Sequence, residues 1–244
     1  MKNSSKFKLL IIILLAAFFR FYGLNWDQGY HLHPDERMIV MVTERLHLRS
    51  LNPKFFAYGS LPLYLLKAIL VRSRSPASAR WGAYSHLYLV GRVLSVIFDL
   101  GTIFLILKIG KKVFSSQVAL LASFFYAISV LPIQLSHFYA VDVILNFLIF
   151  LSLYRLIMFH ERQSLKNAIL VGTSFGLALA TKVSATTLVV SIGTALIFDH
   201  LLIFLKRWRM AMIPWWKKTL FFIFKSKKRK FIVRLIKSLF VYGL

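Results

Sequence analysis

Long apolar runs separated by short basic clusters constrain this chain more than any other feature of its sequence. Hydrophobic residues make up 58% of its 244 positions and charged residues only 16%, whereas a soluble domain carries about 25% charged residues. A water-soluble fold of this length has one modest core and cannot remove so much apolar surface from water. The remaining solvent is lipid. The sequence therefore predicts an all-α, polytopic bundle of transmembrane helices.

The apolar runs predict six crossings. The first covers residues 9–24, behind a basic N-terminus and without a small-residue cleavage site, so we interpret it as an uncleaved helix rather than a signal peptide. The other runs cover residues 87–107, 116–133, 138–159, 166–181 and 183–204. A last apolar stretch, 231–244, is shorter than the roughly 20 residues that a crossing needs. We expect about six or seven spans in one domain over residues 1–244, incomplete at its C-terminus.

The basic clusters give these helices one consistent orientation. They lie at residues 108–112, 160–167 and 206–230. Short loops rich in Lys and Arg stay in the cytoplasm, which leaves the long first loop, residues 25–86, on the extracytoplasmic side. That loop carries more cations than acids. The surplus suits either an anionic ligand or contact with lipid headgroups.

The net charge of +24 and the absence of cysteine exclude several classes of function. A basic balance is typical of nucleic-acid-binding proteins, but here the cations lie between apolar runs, so we predict membrane lipid and no nucleic acid as a partner. A chain without cysteine has no thiolate catalysis and no Cys-ligated metal. In the basic segment 206–230, Trp208, Trp215 and Trp216 alternate with cations, which predicts a cytoplasmic segment lying on anionic lipid.

The segment 26–37 differs in composition from everything around it, with two histidines, three acids and a proline. Pro34 suits the first position of a helix, where its missing N–H costs nothing. Asp35 and Glu36 then fall in the first turn, where carboxylates interact favourably with the helix dipole. The residues that follow form an apolar stripe at helical spacing, which we expect to rest on the membrane surface: Ile39, Val42 and Leu46.

Two interpretations of this acidic pair remain open. Asp35 and Glu36 either stabilise the start of a helix, or they provide a general base or a ligand for a divalent cation at the membrane interface. His33 and His31 are further metal-ligand candidates, but two interfacial polar residues give the same pattern.

Ionisable residues within the apolar runs are the second indication of function, because they are costly in lipid and often mark a site. In the predicted topology, Asp142 and Lys182 lie at the same membrane face as Asp35. A buried pair or a headgroup contact would also explain Asp142 and Lys182. For Asp99, which lies deeper, we expect a hydrogen bond between helices. Asp199 is placed near the cytoplasmic end of its helix.

A series of short motifs gives the chain a resemblance to a known family. The first three are Arg20-Phe-Tyr-Gly-Leu24, His33-Pro-Asp-Glu-Arg37 and Tyr58-Gly-Ser-Leu-Pro-Leu-Tyr64. The series continues with Gly91-Arg-Val-Leu-Ser95, the Asp142 motif and Gly176-Leu-Ala-Leu-Ala-Thr-Lys182. In this order the motifs resemble GT-C membrane glycosyltransferases, in particular the bacterial and archaeal relatives of protein O-mannosyltransferases and aminoarabinose transferases.

The resemblance implies that a sugar moves, with inversion, from a polyprenyl-phosphate carrier to a protein, glycan or lipid acceptor. The reaction would take place on the extracytoplasmic side of a prokaryotic cytoplasmic membrane. It assigns Asp35 as the catalytic base, with Glu36 beside it and Asp142 in the same site.

The resemblance also implies a cationic site for the lipid phosphate of the donor. We assign this role to Lys182, Arg92 and Arg37. No cofactor is certain, and a divalent cation would take its ligands from Asp35, Glu36 and His33.

Two other functions remain open at this point. A transporter or lipid flippase would use Asp99, Asp142 and Lys182 to line a pathway through the bilayer. A non-catalytic membrane subunit would dock a partner through residues 206–230.

Overall fold

The computed structural model describes residues 2–47, 50–72 and 83–194, together with Ile197, Leu201, Phe204 and Leu205. Eight α-helices follow one another in these ranges: α1 Lys2–Phe21, α2 Pro34–Arg45, α3 Leu61–Arg72, α4 Ala83–Val113, α5 Ser116–Ile128, α6 Val130–Ser136, α7 Val141–Glu161 and α8 Leu165–Thr181. A 3-10 turn, Val183–Thr186, then leads into a short helical stretch that reaches Thr194. No strand occurs in the described ranges, so the all-α prediction is confirmed.

Two of these helices are long and apolar enough to cross a membrane by length and composition: Leu87–Val113 within α4, and α7. The pair α5 and α6 makes a third if it counts as one span, with a 57° bend between its halves. Helix α8 and the stretch Val183–Thr194 are apolar but shorter. The helix-bundle architecture is thus confirmed, whereas the number of six to seven crossings stays a prediction. The predicted link at residues 132–137 is largely helical, because α6 runs from Val130 to Ser136.

Short connections reverse the chain between neighbouring helices. Helix α4 packs against α5 and α7, α7 packs against α8, and α1 packs against α5 and α4. Helices α5 and α6 return the chain from the end of α4 to the start of α7. The N-termini of α4 and α7 therefore lie at the same end of the bundle as the C-termini of α1, α6 and α8. We call it the loop end, since residues 22–33, 50–60, 137–140 and 181–183 lie there.

Helices α2 and α3 pack into the bundle at the loop end. Ile39 and Leu46 are only 1% and 4% exposed, and Ile39 joins the same core cluster as Leu63 and Leu66 of α3. The stripe of Ile39, Val42 and Leu46 therefore faces the protein interior, and the prediction that it rests on the membrane surface is wrong. The helical period was read correctly, but the period alone does not tell a protein core from a lipid surface.

A second core lies between α1, α4 and α5, and it contains a buried ion pair. Arg20 donates to Asp99, and Asp99 also accepts a 2.7 Å hydrogen bond from the Tyr126 hydroxyl. Arg20 further donates to the Ala127 carbonyl oxygen at 2.9 Å. Asn146 of α7 donates to Tyr126 at 2.9 Å. The expectation of a helix–helix hydrogen bond at Asp99 is confirmed, and the network connects α1, α4, α5 and α7.

Candidate active site

A buried arginine of α4 connects several elements of the loop end. Arg92 of α4 is fully buried and donates to Glu36 of α2, with Nη2 2.6 Å from Oε2 and Nε 2.9 Å from Oε1. It also donates to both oxygens of Asp27, at 3.0 and 2.8 Å, and to the Leu24 carbonyl oxygen at 2.8 Å. These contacts use all five N–H groups that a guanidinium carries. Arg92 thus fixes the loop after α1 and the first turn of α2 to α4.

Glu36 completes this network toward the start of α7. Its Oε1 accepts a 2.9 Å hydrogen bond from the backbone N–H of Tyr139. The Tyr139 ring lies against Gly91, where a Cβ atom would come 2.6 Å from the ring carbon Cγ. Its hydroxyl donates to the Pro62 carbonyl oxygen at 2.8 Å, and burial raises the pKa of Tyr139. Glu36 is fully buried and connects α2, α4 and the α6–α7 link.

Asp27 is the second counter-ion of Arg92. Burial alone would raise the pKa of Asp27, but hydrogen bonds from Arg92 and the Gly29 N–H, together with the Arg92 charge, outweigh it and lower that pKa. A buried carboxylate that is ionised and fully hydrogen-bonded favours a structural role. Arg92 also lies over the rings of Tyr88 and Trp26, at 4.7 and 5.5 Å from their centroids.

This geometry bears on two of the predicted site residues. Arg92 has each N–H group on a protein oxygen, so a donor phosphate would have to displace one of these contacts. Glu36 has no exposed surface. The roles predicted for both in catalysis and donor binding stay predictions, and their contacts here are those of a structural clamp.

Asp142 and Lys182 meet at the surface of the loop end. Lys182 Nζ lies 2.7 Å from Asp142 Oδ1, and the two side chains are 34% and 42% exposed. Asp142 lies in the first turn of α7, and Lys182 caps the C-terminus of α8. Each charge has the sign that its helix end favours. The ammonium group has three N–H donors, and the contact with Asp142 uses one of them.

Asp35 lies beside this ion pair through a residue that the sequence analysis left without a role. The Tyr58 hydroxyl lies near the carboxylates of Asp35 and Asp142, whose negative charges both act on it. Interaction with the Asp35 carboxylate, burial, and the negative charges of Asp35 and Asp142 raise the pKa of Tyr58 to about 12. Asp35 itself is half-buried in the first turn of α2. Asp35, Tyr58, Asp142 and Lys182 thus form one cluster, which we call the Asp35 cluster.

The loop that carries Tyr58 is fixed to α8. The Gly59 N–H donates to the Thr181 carbonyl oxygen at 3.0 Å. A Cβ atom on Gly59 would come within 2.0 Å of the Ala180 carbonyl oxygen, so this approach requires glycine. The end of α8 therefore holds Tyr58 and Lys182 at a defined separation.

The metal-ligand candidates have other partners in the structure. His33 is the N-cap of α2, where its Nδ1 accepts from the Glu36 N–H at 3.4 Å, and its ring stacks on Phe138. Glu36 is bound to Arg92. Among the described residues, no group of three His, Asp or Glu side chains is arranged to hold a metal ion. A divalent cation stays a prediction.

The remaining candidates divide by location. The Arg37 side chain is exposed on α2, whereas His31 is buried with its ring edge against Tyr88, 4.7 Å between centroids. Asp199 and the basic segment 206–230 lie outside the described residues. Sequence reasoning missed Asp27 and Tyr58 as parts of the loop end. A signal existed for Tyr58, since it begins one of the motifs that carry the family resemblance.

Comparisons with known proteins identify the family. The family model described as dolichyl-phosphate-mannose-protein mannosyltransferase matches residues 85–226, which is more than half of the chain. Arg92, Asp142 and Lys182 lie within the matched residues, and Asp35 and Tyr58 precede them. No curated protein and no solved structure gives a significant match. The chain therefore belongs to the dolichyl-phosphate-mannose-protein mannosyltransferase family, and it is an integral membrane glycosyltransferase that uses a lipid-linked sugar donor.

Proposed function

We propose that the Asp35 cluster is the active site and that it transfers a sugar from a polyprenyl-phosphate carrier to a hydroxyl of an acceptor. The family's description names dolichyl-phosphate mannose as donor and protein as acceptor, so mannose and a Ser or Thr side chain are the first pair to test. The predicted orientation places this reaction on the extracytoplasmic side.

In this proposal Asp35 is the general base. A hydroxyl is a weak nucleophile until a positioned carboxylate accepts its proton, a contribution of roughly 10²–10⁴ in rate. The acceptor oxygen forms a bond to the anomeric carbon of the sugar while the bond from that carbon to the phosphate oxygen breaks. Asp35 takes the hydroxyl proton, and polyprenyl phosphate leaves as a monoester. A single displacement of this kind inverts the configuration at the anomeric carbon.

Lys182 is the cation we assign to the donor phosphate. The phosphate gains negative charge as it leaves, so a fixed cation stabilises the transition state more than the ground state. Asp142 holds the Lys182 ammonium at 2.7 Å and thereby orients it. Arg37 is an exposed second candidate. We leave Arg92 out of this role because the protein already uses all its N–H groups.

The observation that supports this function best is the ion pair of Lys182 and Asp142 at the loop end, where the charges of Asp142 and Asp35 both act on Tyr58. A carboxylate on α2 and a cation at the end of α8, both at the loop end, match the two charge changes of glycosyl transfer. A transport pathway would need polar groups spread through the bilayer. The deeper charged pair, Arg20 and Asp99, is instead closed on itself within the helix junction.

The test is turnover of polyprenyl-phosphate [³H]mannose by membranes containing the protein, wild type beside Asp35→Asn. We expect the variant to lose at least about 100-fold in turnover while its amount in the membrane is unchanged. Glu44→Gln, at a half-buried acid on the same helix, is the matched control. Addition of EDTA to the wild-type assay tests the divalent cation.

Full turnover by Asp35→Asn would show that the base is another group. Transfer of labelled lipid across the membrane without a glycosylated product, by wild type, would replace the enzyme by a flippase. A wild type that is inactive with every polyprenyl-phosphate sugar would favour a non-catalytic subunit.

A further inference from the structure

The end of the bundle opposite the loop end carries an excess of positive charge. The last two turns of α4 and α7 and the start of α8 provide these cations: Lys108, Lys111, Lys112, Arg155, Arg162 and Lys166. Among the described residues, Glu161 is the one acid at this end, and it accepts from Lys112. The predicted orientation makes this the cytoplasmic end. Positive charge alone indicates only a general attraction to anionic lipid.

Two of these cations differ from the others because they lie inside the helices around one aromatic ring. The Nζ atom of Lys108 in α4 lies 5.4 Å from the ring centroid of Tyr154 in α7, and 4.5 Å from that of Phe104. The guanidinium carbon of Arg155 lies 5.9 Å from the same Tyr154 centroid. Both cations are half-buried. Two positive charges are thus brought together where α4 packs against α7.

The protein around these two cations supplies no anion to balance them. In the ranges that the structure describes, Lys108 and Arg155 contact aromatic rings, and neither donates to an oxygen atom. An ammonium group carries three N–H donors and a guanidinium five. A ring face attracts a cation more weakly than an ionised oxygen does. The pair therefore has both the charge and the free donors to bind an anion.

The depth of the pair in the membrane limits which anion can reach it. Helix α4 ends at Val113 and α7 at Glu161, so Lys108 and Arg155 lie about 8 to 9 Å inside the helix ends at 1.5 Å per residue. Long cationic side chains extend from such a depth to the lipid headgroups. The phosphate of a phospholipid in the adjacent leaflet is the anion at this level.

The surface of α4 beside Lys108 favours a lipid over a soluble anion. Val93, Ile97 and Phe104 are all exposed, and they lie with Lys108 along one face of the helix at helical spacing. This apolar stripe runs from Lys108 toward the middle of the membrane. A lipid whose phosphate is bound at Lys108 can lay an acyl chain along the stripe, whereas inorganic phosphate would leave it unused.

We propose that Lys108 and Arg155 form a binding site for the phosphate group of an anionic phospholipid between α4 and α7. Arg155 donates two N–H groups to the phosphate oxygens, as the planar guanidinium favours, and Lys108 adds the second positive charge. Tyr154 lies between the two helices and keeps both cations at the site. The site lies at the end of the bundle opposite the Asp35 cluster, so the inference does not depend on the proposed function.

The test measures binding of phosphatidylglycerol to the full chain in detergent by native mass spectrometry, with phosphatidylcholine of the same acyl chains for comparison. We expect wild type to bind the anionic lipid more tightly. Lys108→Gln and Arg155→Gln should each raise the Kd for phosphatidylglycerol by about 10-fold or more, since each removes a charge-assisted hydrogen bond. Neither should change the Kd for phosphatidylcholine by more than about threefold. Lys108→Arg keeps the charge and should keep most of the affinity.

Lys111→Gln and Arg162→Gln are the matched controls, because both remove an exposed cation from the same end of the bundle. At physiological salt, solvent screens exposed charges, so each control should raise the Kd by less than about threefold. The thermal unfolding midpoint gives a second measurement. Phosphatidylglycerol should raise it in wild type and in both controls by mass action, and should raise it little in Lys108→Gln or Arg155→Gln.

Three results would overturn the proposal. Equal Kd values of wild type for the two lipids would show that the site does not select an anionic headgroup. An equal loss of affinity in the controls and in the site variants would reduce the effect to general attraction. Displacement of phosphatidylglycerol by inorganic phosphate would assign the two cations to a soluble anion instead of a lipid.

Discussion

Arg92 Nη2 lies 2.6 Å from Glu36 Oε2 at a point where both side chains are fully buried. The contact joins the first turn of α2 to α4, and Asp35 directly precedes Glu36 in that turn. A buried charge that loses its partner is costly, because its desolvation is no longer offset. The two acids of the motif thus have different environments. Glu36 is buried in the ion pair with Arg92, whereas Asp35 is half-exposed near Tyr58.

We predict that Glu36→Gln lowers the stability of the protein more than the same substitution at an exposed glutamate. The amide nitrogen of glutamine faces Arg92 where a carboxylate oxygen accepted two hydrogen bonds. Removal of one partner of a buried ion pair costs about 3–5 kcal/mol, and Asp27 keeps the cost near the lower end. The thermal unfolding midpoint in detergent should fall accordingly. Activity at low temperature should fall less than it does for Asp35→Asn.

The matched control is Glu161→Gln at the opposite end of the bundle. Glu161 accepts from Lys112, but its side chain is 49% exposed. Exposed ion pairs contribute about 0–1 kcal/mol, so this variant should unfold close to the wild-type midpoint. Equal midpoints for the two glutamine variants would contradict the clamp described for Glu36.

Asp27 predicts a pH dependence of stability with a definite sign. Its pKa is lower in the folded protein than its ordinary value of 3.8. A depressed pKa stabilises the fold above the unfolded-state value, and the contribution is lost as the pH falls through the folded-state value. The unfolding midpoint of the wild type should therefore exceed that of Asp27→Asn by a constant amount above about pH 5. The difference should narrow below about pH 4.

Other acids also titrate in that range, but they are present in both proteins and cancel in the comparison. A midpoint difference that does not change between pH 6 and the lowest pH tolerated would show that the Asp27 charge adds nothing to stability.

Much of the fold could be predicted from the sequence because helix length and hydropathy are local properties. Pro34 predicted the start of α2, and the apolar runs predicted α7 and α8 within a few residues, whereas α4 extends beyond its predicted run at both ends. The common depth of Asp142 and Lys182 also followed from counting alternating helices, and their 2.7 Å contact agrees with it.

The lateral arrangement of the helices could not be predicted in this way. Hydropathy gives the depth of Arg92 in its helix but not which neighbour it faces, so its pairing with Glu36 and Asp27 was missed. For the same reason, Tyr58 was noted as part of a motif while its place near Asp35 and Asp142 was not. The prediction for the apolar stripe of α2 was wrong for a related reason, because a protein core and a lipid surface favour the same apolar residues.

Gly59→Ala should separate the Tyr58 loop from α8. The new Cβ would lie 2.0 Å from the Ala180 carbonyl oxygen, and backbone atoms on both sides must move to relieve the overlap. The 3.0 Å hydrogen bond from Gly59 to Thr181 then weakens or breaks. We expect turnover to fall by about 10-fold or more, because Tyr58 and the end of α8 that carries Lys182 lose the contact that holds them together.

Gly176→Ala is the control for this change. Gly176 lies within α8, and a Cβ there would meet no atom within 4 Å. Alanine in the interior of a helix is favoured over glycine by about 1 kcal/mol, so this variant should be at least as stable as wild type, with unchanged turnover. Wild-type turnover in Gly59→Ala would mean that the loop tolerates displacement and does not set the geometry of the site.

Lys182→Gln should lower the rate of sugar transfer without lowering the stability of the fold. The side chain is 34% exposed, so its removal leaves Asp142 able to bind water and costs little stability. Loss of a group that stabilises developing negative charge lowers kcat by about 100- to 1000-fold, and Lys182→Arg should restore part of the rate because it keeps the charge. Lys54→Gln, which removes an exposed cation from the Tyr58 loop, controls for general electrostatic attraction of the donor. If Lys182→Gln and Lys54→Gln lower turnover equally, the phosphate is held by another cation, and the exposed Arg37 becomes the next residue to substitute.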